Sequence, residues 1–470
     1  MSSHDTPTIY AELLTNIRQL SIAVTLSSPA GGQTRALIAP NGETLHIHHA
    51  GTETSFPLPG RVLAQAGAPT ALPTPPPSAS SSASQTLSWR LPLADSPAAR
   101  SGGTSLADDP VPWTARDLLP GSAVACRRCA AVVVPGGKAG EWKGLPSENW
   151  AEMMDFWHCH KPSTDREDEH EHGGVNGEGK EKDDHEHLTR RGYGANSSIA
   201  AQPGVGMVDL TSFLFCEADC VGLKFSLPSS AAAPPASSSS EVLAGGGAGD
   251  SDSDSASDPT EPPPRMLNIA CSACASHLGF FNVAISSVVL LKWQVSCQTS
   301  ISHPTAAAEA TALPTSTDCL AATLIATLSR SGSSKSVVVP AFQSTQNLAS
   351  SPSGDGGDAV PPALHLWILN SNITYASSSF PSSSSSSSSP HQRAKRAAMK
   401  LLYKEISQAE ADDMLESMTS DVQEVNLPLP AIVAAAEGLK QSSRLLPPSE
   451  RVFKGWNVGL LDKWEPASLS

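Results

Sequence analysis

Two C-x-x-C pairs and one His-Cys-His run are the residues of this chain best suited to chemistry. Cys126-Arg-Arg-Cys129 and Cys271-Ser-Ala-Cys274 each put two thiols a tight turn apart, so both sulfurs can face one cation. Two such knuckles would supply the four thiolates of a tetrahedral structural zinc site. The alternative is two unrelated reduced pairs, because far more chain separates them than a zinc-ribbon loop contains. His158, Cys159 and His160 form the third cluster, directly before Lys161 and Pro162. The flanking imidazoles would lower the pKa of the Cys159 thiol. The negative end of a preceding helix would act against the thiolate.

That helix is the element expected to present the run. Ser147 suits an N-cap, Glu148 sits beside the positive end of the dipole, and Trp150, Met153, Met154 and Trp157 fall at i, i+3, i+4 and i+7. The stripe would pack on a core and leave Trp157, His158, Cys159 and His160 at an outward-facing tip. The first knuckle leads into Ala130–Val134, a β-branched run that reads as a strand. The second leads toward FFNVAISSVVLLKWQV (280–295), which suits one or two buried strands.

CRRC ahead of a strand, LPSENW with its WHCH end, CSAC and the closing RVFKGWNVGLLDKW resemble the HECT-like E2-binding proteins. The resemblance covers both ends of the core but not the low-complexity stretches between. It implies an E3 ubiquitin ligase whose partners are a ubiquitin-conjugating enzyme (E2) and ubiquitin. It also implies a link to the zinc-dependent endonuclease of pre-mRNA 3′-end processing. One departure matters: a HECT-type ligase carries its thioester cysteine near the C-terminus, and no cysteine follows Cys319 here.

Four mechanisms therefore compete. Cys159 could be the catalytic thioester nucleophile. The chain could instead be a zinc-stiffened scaffold that binds a charged E2 and needs no cysteine. It could be a non-catalytic chaperone or regulator of the endonuclease, with Cys159 reaching the partner's metal as a soft thiolate. A zinc enzyme would need an open coordination position and a general base, and the sequence offers neither.

Composition bounds the rest. Among 470 residues, 39 prolines, 34 glycines and only 5% aromatics argue that much of the chain cannot bury enough apolar surface to offset ordering entropy. A net charge of −15 without a basic stripe argues against direct nucleic-acid binding. Nine cysteines without a secretory leader point to a reducing compartment, cytoplasmic or nuclear, and no apolar run approaches bilayer-spanning length. His170, His172, His185 and His187 alternate with acids and read as a solvated insertion, as the paired Cys216 and Cys220 read as incidental. Gly204-Val-Gly206 lacks the strand–GxGxxG–helix context of a dinucleotide site.

The expected class is α+β with a β-rich core, a Cys₄ zinc staple, short amphipathic helices and long disordered insertions. Residues 1–120 read as an N-terminal β-rich region. Residues 121–300 read as a zinc-stapled core with inserts near 163–195 and 229–264. Residues 301–470 read as a C-terminal α+β region with a Ser-rich insert near 376–392. Within these, residues 9–20, 113–119, 392–406 and 427–446 read as helices. Residues 21–26, 87–93, 204–215 and 364–375 read as strands, and Asn41-Gly42 as a turn. The basic cluster Arg393, Lys395, Arg396 reads as a solvated helix face, a nuclear signal or a partner patch.

Overall fold

A computed structural model describes residues 6–65, 67–74, 85–94, 110–145, 200–227, 266–299, 313–341, 363–379, 395–417 and 421–465. The expected helix over 147–157 and its tip lie outside these residues, as do most of the three expected inserts.

The architecture is β-rich α+β, with three α-helices among the described residues. A nine-stranded curled sheet joins the two ends of the chain. Its main path runs from edge strand Gln85–Pro92 through Gln19–Leu26, Thr8–Leu14, Ala363–Ser377, Lys395–Ile406 and Trp456–Asp462 to Val452–Phe453. The 15-residue strand Ala363–Ser377 serves two neighbours on one edge. Its first half pairs with Lys335–Pro340 (Lys335 opposite Trp367), and its second with Thr8–Leu14 (Leu14 opposite Ile373). Between them the register to Lys395–Ile406 shifts at Asn370, whose side chain accepts from the Asn372 N–H, and the sheet forks there. Pro92, which cannot donate to a ladder, sits on the edge strand as expected.

Two expected helices are strands. Residues 8–14 and 395–406 both lie inside the nine-stranded sheet, the second between two antiparallel partners. Leu401 packs under helices on one face, while Leu402 packs on the other. A strand covered on both faces reads as a nearly continuous apolar run, which spacing alone cannot separate from a helix. Residues 113–119 form turns in place of the expected short helix. The expected single strand over 204–215 is a hairpin, Val205–Val208 and Ser212–Cys216.

Helix α1 (Ser316–Ser331) starts in a capping box, with Thr315 accepting from the Asp318 N–H and the Asp318 carboxylate returning to the Thr315 N–H. It packs with α3 (Leu429–Ser443), the expected C-terminal helix, over one face of the large sheet. Helix α2 (Gln408–Glu416), also started by a capping box at Ser407, covers a corner of the opposite face. A four-stranded sheet over residues 35–72 packs on the N-terminal hairpin.

The middle of the chain forms a seven-stranded sheet and a three-stranded one. The seven-stranded order is Glu141–Gly144, Val205–Val208, Ser212–Cys216, Ser287–Leu291, His277–Asn282, Met266–Cys271, Leu223–Ser226, with only the first pair parallel. The three-stranded sheet is Val295–Cys297, Val124–Cys126 and Val132–Val134. Their shared core holds Trp113, Trp142, Phe213 and Phe215, and Trp464 from the far end of the chain joins it.

Candidate metal centre

Each cysteine pair caps a β-turn at the end of a hairpin, and the two turns are built alike. The Cys126 N–H donates to the Ala131 carbonyl and the Ala130 N–H to the Cys126 carbonyl, both at 2.8 Å. The second knuckle repeats this, with Cys271 N–H to Ser276 and Ala275 N–H to Cys271, both at 2.9 Å. In both, the alanine after the second cysteine takes a left-handed conformation, with φ of 60° at Ala130 and 57° at Ala275. The N–H groups of residues 128 and 129 point at the Cys126 sulfur, as those of 273 and 274 do at Cys271. The sequence Cys-x-x-Cys-Ala thus folds into the same sulfur-presenting turn twice.

The turns face each other. Segment Val221–Gly222 bridges them, with the Val221 N–H donating to the Val133 carbonyl and the Ser272 N–H to the Gly222 carbonyl, each at 2.8 Å. Gly222, at φ 64°, is close-fitted, since a Cβ there would lie 3.2 Å from the Ser272 hydroxyl. Arg127 anchors the first turn, donating to the carbonyls of Pro314 at 2.8 Å and Trp293 at 3.3 Å, immediately before α1.

The result brings together all four sulfurs that the sequence singled out. Cys126 and Cys274 lie 3.7 Å apart, as do Cys129 and Cys271, and all four sulfurs fall within 4.8 Å of one another. A disulfide needs about 2.0 Å, so these are separate sulfurs. A tetrahedron with metal–sulfur bonds of about 2.3 Å has sulfur–sulfur edges of roughly 3.8 Å. The cluster therefore fits one four-coordinate thiophilic cation.

Its electrostatics agree. Burial pushes the Cys126 thiol up. At Cys129 the Ala131 N–H favours the thiolate, yet the adjoining thiols and desolvation push it up to about 12. At Cys271 burial acts upward, but the N–H groups of Cys274 and Ala273 and the Cys129 thiol bring it down to about 7. Sulfurs this close cannot all ionise without a positive ion among them.

Comparison with family models matches residues 12–458 to the HECT-like ubiquitin-conjugating enzyme (E2)-binding family. The chain belongs to this family. Among curated proteins, this HECT-like E2-binding protein is 43% identical to an uncharacterized protein of Schizosaccharomyces pombe over 54 residues, 11% of this chain and 15% of that one. An uncharacterized protein of Saccharomyces cerevisiae is 35% identical over 54 residues, 11% of this chain and 16% of the relative. The chain therefore matches under a fifth of either relative's length. No solved structure matches it.

The other sequence-selected residues fare differently. Trp157, His158, Cys159 and His160 lie outside the described residues. Cys216 and Cys220 are not among the four clustered sulfurs, and burial pushes the Cys220 thiol up to about 12. Three further histidines, not singled out above, lie on the strand Thr44–His49: His46 and His48 both face Glu53 at 3.5 and 3.6 Å, while His49 is buried between the hydroxyls of Ser28 and Thr34. The glycines of Gly204-Val-Gly206 have structural duties. Gly204, at φ 78°, donates to the Asp219 carboxylate at 2.7 Å, and Gly206 makes room for the Trp142 indole. Sequence reasoning did not find the bridging Val221–Gly222 segment. Its only local signal was a glycine shortly after Cys220.

Proposed function

We propose that this protein is an E3 ubiquitin ligase of the scaffold kind, holding a ubiquitin-charged E2 so that ubiquitin passes directly to a protein substrate. The observation that carries the reading is the condition of the thiols among the described residues, which do not include Cys159. A thioester mechanism needs a cysteine that ionises and can be reached. Cys319, the last in the chain, is fully buried, and burial pushes its thiol up to about 12. Burial pushes Cys297 up to about 12 as well. The four knuckle thiols face one another.

Cys126, Cys129, Cys271 and Cys274 would hold a structural zinc, which supplies rigidity and no open coordination position. What the chain itself contributes is placement. Two hairpin turns, one bridging segment and Arg127 fix the knuckles against the start of α1, giving an E2 a stiff platform.

The reading is tested by adding the full chain to an E2 charged with ubiquitin. Faster discharge that survives Cys159→Ala supports the scaffold. A reducible ubiquitin adduct on Cys159 replaces it with a thioester mechanism. Absent discharge, together with tight binding to the 3′-end-processing endonuclease, replaces it with the regulator reading, in which residues 157–160 contact the partner.

A further inference from the structure

We infer that the knuckle cluster is also a redox device, in which peroxide converts the four sulfurs to two disulfides, Cys126–Cys274 and Cys129–Cys271, and frees the cation they hold. Both 3.7 Å sulfur contacts cross from one knuckle to the other, and they share no sulfur, so both bonds can form in one molecule. Each contact must shorten to about 2.0 Å, the length of a disulfide, and the backbone already holds the two turns face to face. Each pair also joins a sealed sulfur to a more open one. Cys126 and Cys271 are fully buried, whereas Cys129 is exposed and Cys274 partly so. An oxidant that reaches Cys129 or Cys274 therefore meets a thiol whose resolving partner is already in contact.

Atoms and electrons balance with hydrogen peroxide as the oxidant. Its O–O bond breaks as the open sulfur is oxidised to a sulfenic acid, and one oxygen leaves as water. The buried sulfur then attacks the sulfenic sulfur, the S–S bond forms, and the second oxygen leaves as water. For the whole cluster, two peroxides take four electrons from four thiolates, and four protons from solvent complete four waters. Disulfide sulfurs carry no negative charge and hold a thiophilic cation poorly, so oxidation and metal release are one event.

The exchange keeps the knuckles joined when the metal is gone. A bridge inside Cys126–Cys129 or Cys271–Cys274 would close a single turn and leave the two hairpins unlinked. The crossed bridges span 148 and 142 positions. A bridge that closes a long loop restricts the unfolded chain more than one that closes a short loop. The staple between the two knuckles thus has a metal-held form and a disulfide-held form.

The proposal rests on the metal assignment and not on the ligase reading. Its test uses the full chain, with zinc measured by elemental mass spectrometry before hydrogen peroxide is added in steps. The knuckle thiols should disappear in step with release of one zinc per chain, and dithiothreitol with added zinc should reverse both. Trypsin cuts after Arg127 and Arg128, separating Cys126 from Cys129, but leaves Cys271 and Cys274 in one peptide, 266–292. Without reductant, the Cys126 and Cys129 peptides should both be joined to that peptide, with fragmentation assigning Cys126 to Cys274 and Cys129 to Cys271. The oxidised, zinc-free protein should melt cooperatively and above the reduced, zinc-free protein. Absence of zinc before peroxide would overturn the metal assignment and the exchange together. With zinc present at the start, any other pairing of the four sulfurs, sulfinic or sulfonic acids in place of bridges, zinc retained after peroxide, or a lower melt for the oxidised form would overturn the exchange alone.

Discussion

Cys126, Cys129, Cys271 and Cys274 contribute one sulfur each to a shared cluster, so replacing any one should have the same consequence. Serine in place of a knuckle cysteine supplies a hydroxyl that stays protonated, and three thiolates hold a structural cation poorly. Each Cys→Ser variant should fall from one zinc per chain to well below one by elemental mass spectrometry. Unchanged stoichiometry in any of the four would remove the assignment. Lys292 gives a second expectation at this scale. Its side chain is fully buried, donating to the Pro112 carbonyl at 2.6 Å, and burial lowers its pKa from 10.5 to about 8. Between those values the unfolded chain binds more protons, so this group adds stability as pH rises. The Cys297 and Cys319 thiols, raised from 9.0 to about 12, act in the opposite sense above 9.0. Stability of the parent relative to Lys292→Met should therefore increase from pH 8 to 9. Parallel pH profiles in denaturant titrations would contradict this.

Among the elements, the parallel pair Glu141–Gly144 and Val205–Val208 depends on a missing side chain. Gly206 stands opposite Trp142, and a Cβ there would lie 2.5 Å from two carbons of the indole and 3.1 Å from the Phe215 ring. Trp142 in turn donates to the Leu119 carbonyl at 3.0 Å, so it cannot shift without losing that bond. Gly206→Ala should cost about 1–3 kcal/mol by chemical denaturation, the range for overfilling a packed core. A cost under about 0.5 kcal/mol, as at an ordinary surface site, would mean the indole is free to move. Elements were legible where pattern and environment agreed. Gln19–Leu26 and Gln85–Pro92 alternate and form strands, and Leu429–Ser443 follows its helical spacing. KRAAMKLLYKEI misleads because alanine, leucine and lysine favour helix locally, while two flanking strands and two covered faces decide otherwise.

On the scale of the molecule, the large sheet is closed across nearly the whole chain. Glu12 and Lys400, 388 residues apart, pair at 2.9 Å with little solvent access, and Tyr10 donates to the same carboxylate at 2.7 Å. Lys400→Ala would leave Glu12 buried with its charge poorly compensated. We expect a loss of about 3 kcal/mol, within the range for breaking a buried pair, and partial recovery when Glu12→Gln is added. Equal stability of the single and double variants would show that the pair does not join the halves energetically. Trp464 ties the C-terminal end to a different part, the middle of the chain, since the closing segment ends in the core beneath the knuckles.

The sequence by itself determined the chemistry available: four thiols in two knuckles, no cysteine beyond Cys319, and a composition that leaves a β-rich core. Those are local properties, fixed by residue type and by spacings of a few positions. Only the tertiary structure decided that sulfurs more than a hundred residues apart lie 3.7 Å from one another, and that residues 8–14 and 395–406 are strands of one sheet. The physical reason is the same in both cases. Cross-strand pairing and metal geometry depend on what the fold sets alongside a segment, and a segment's own periodicity carries no information about its neighbours.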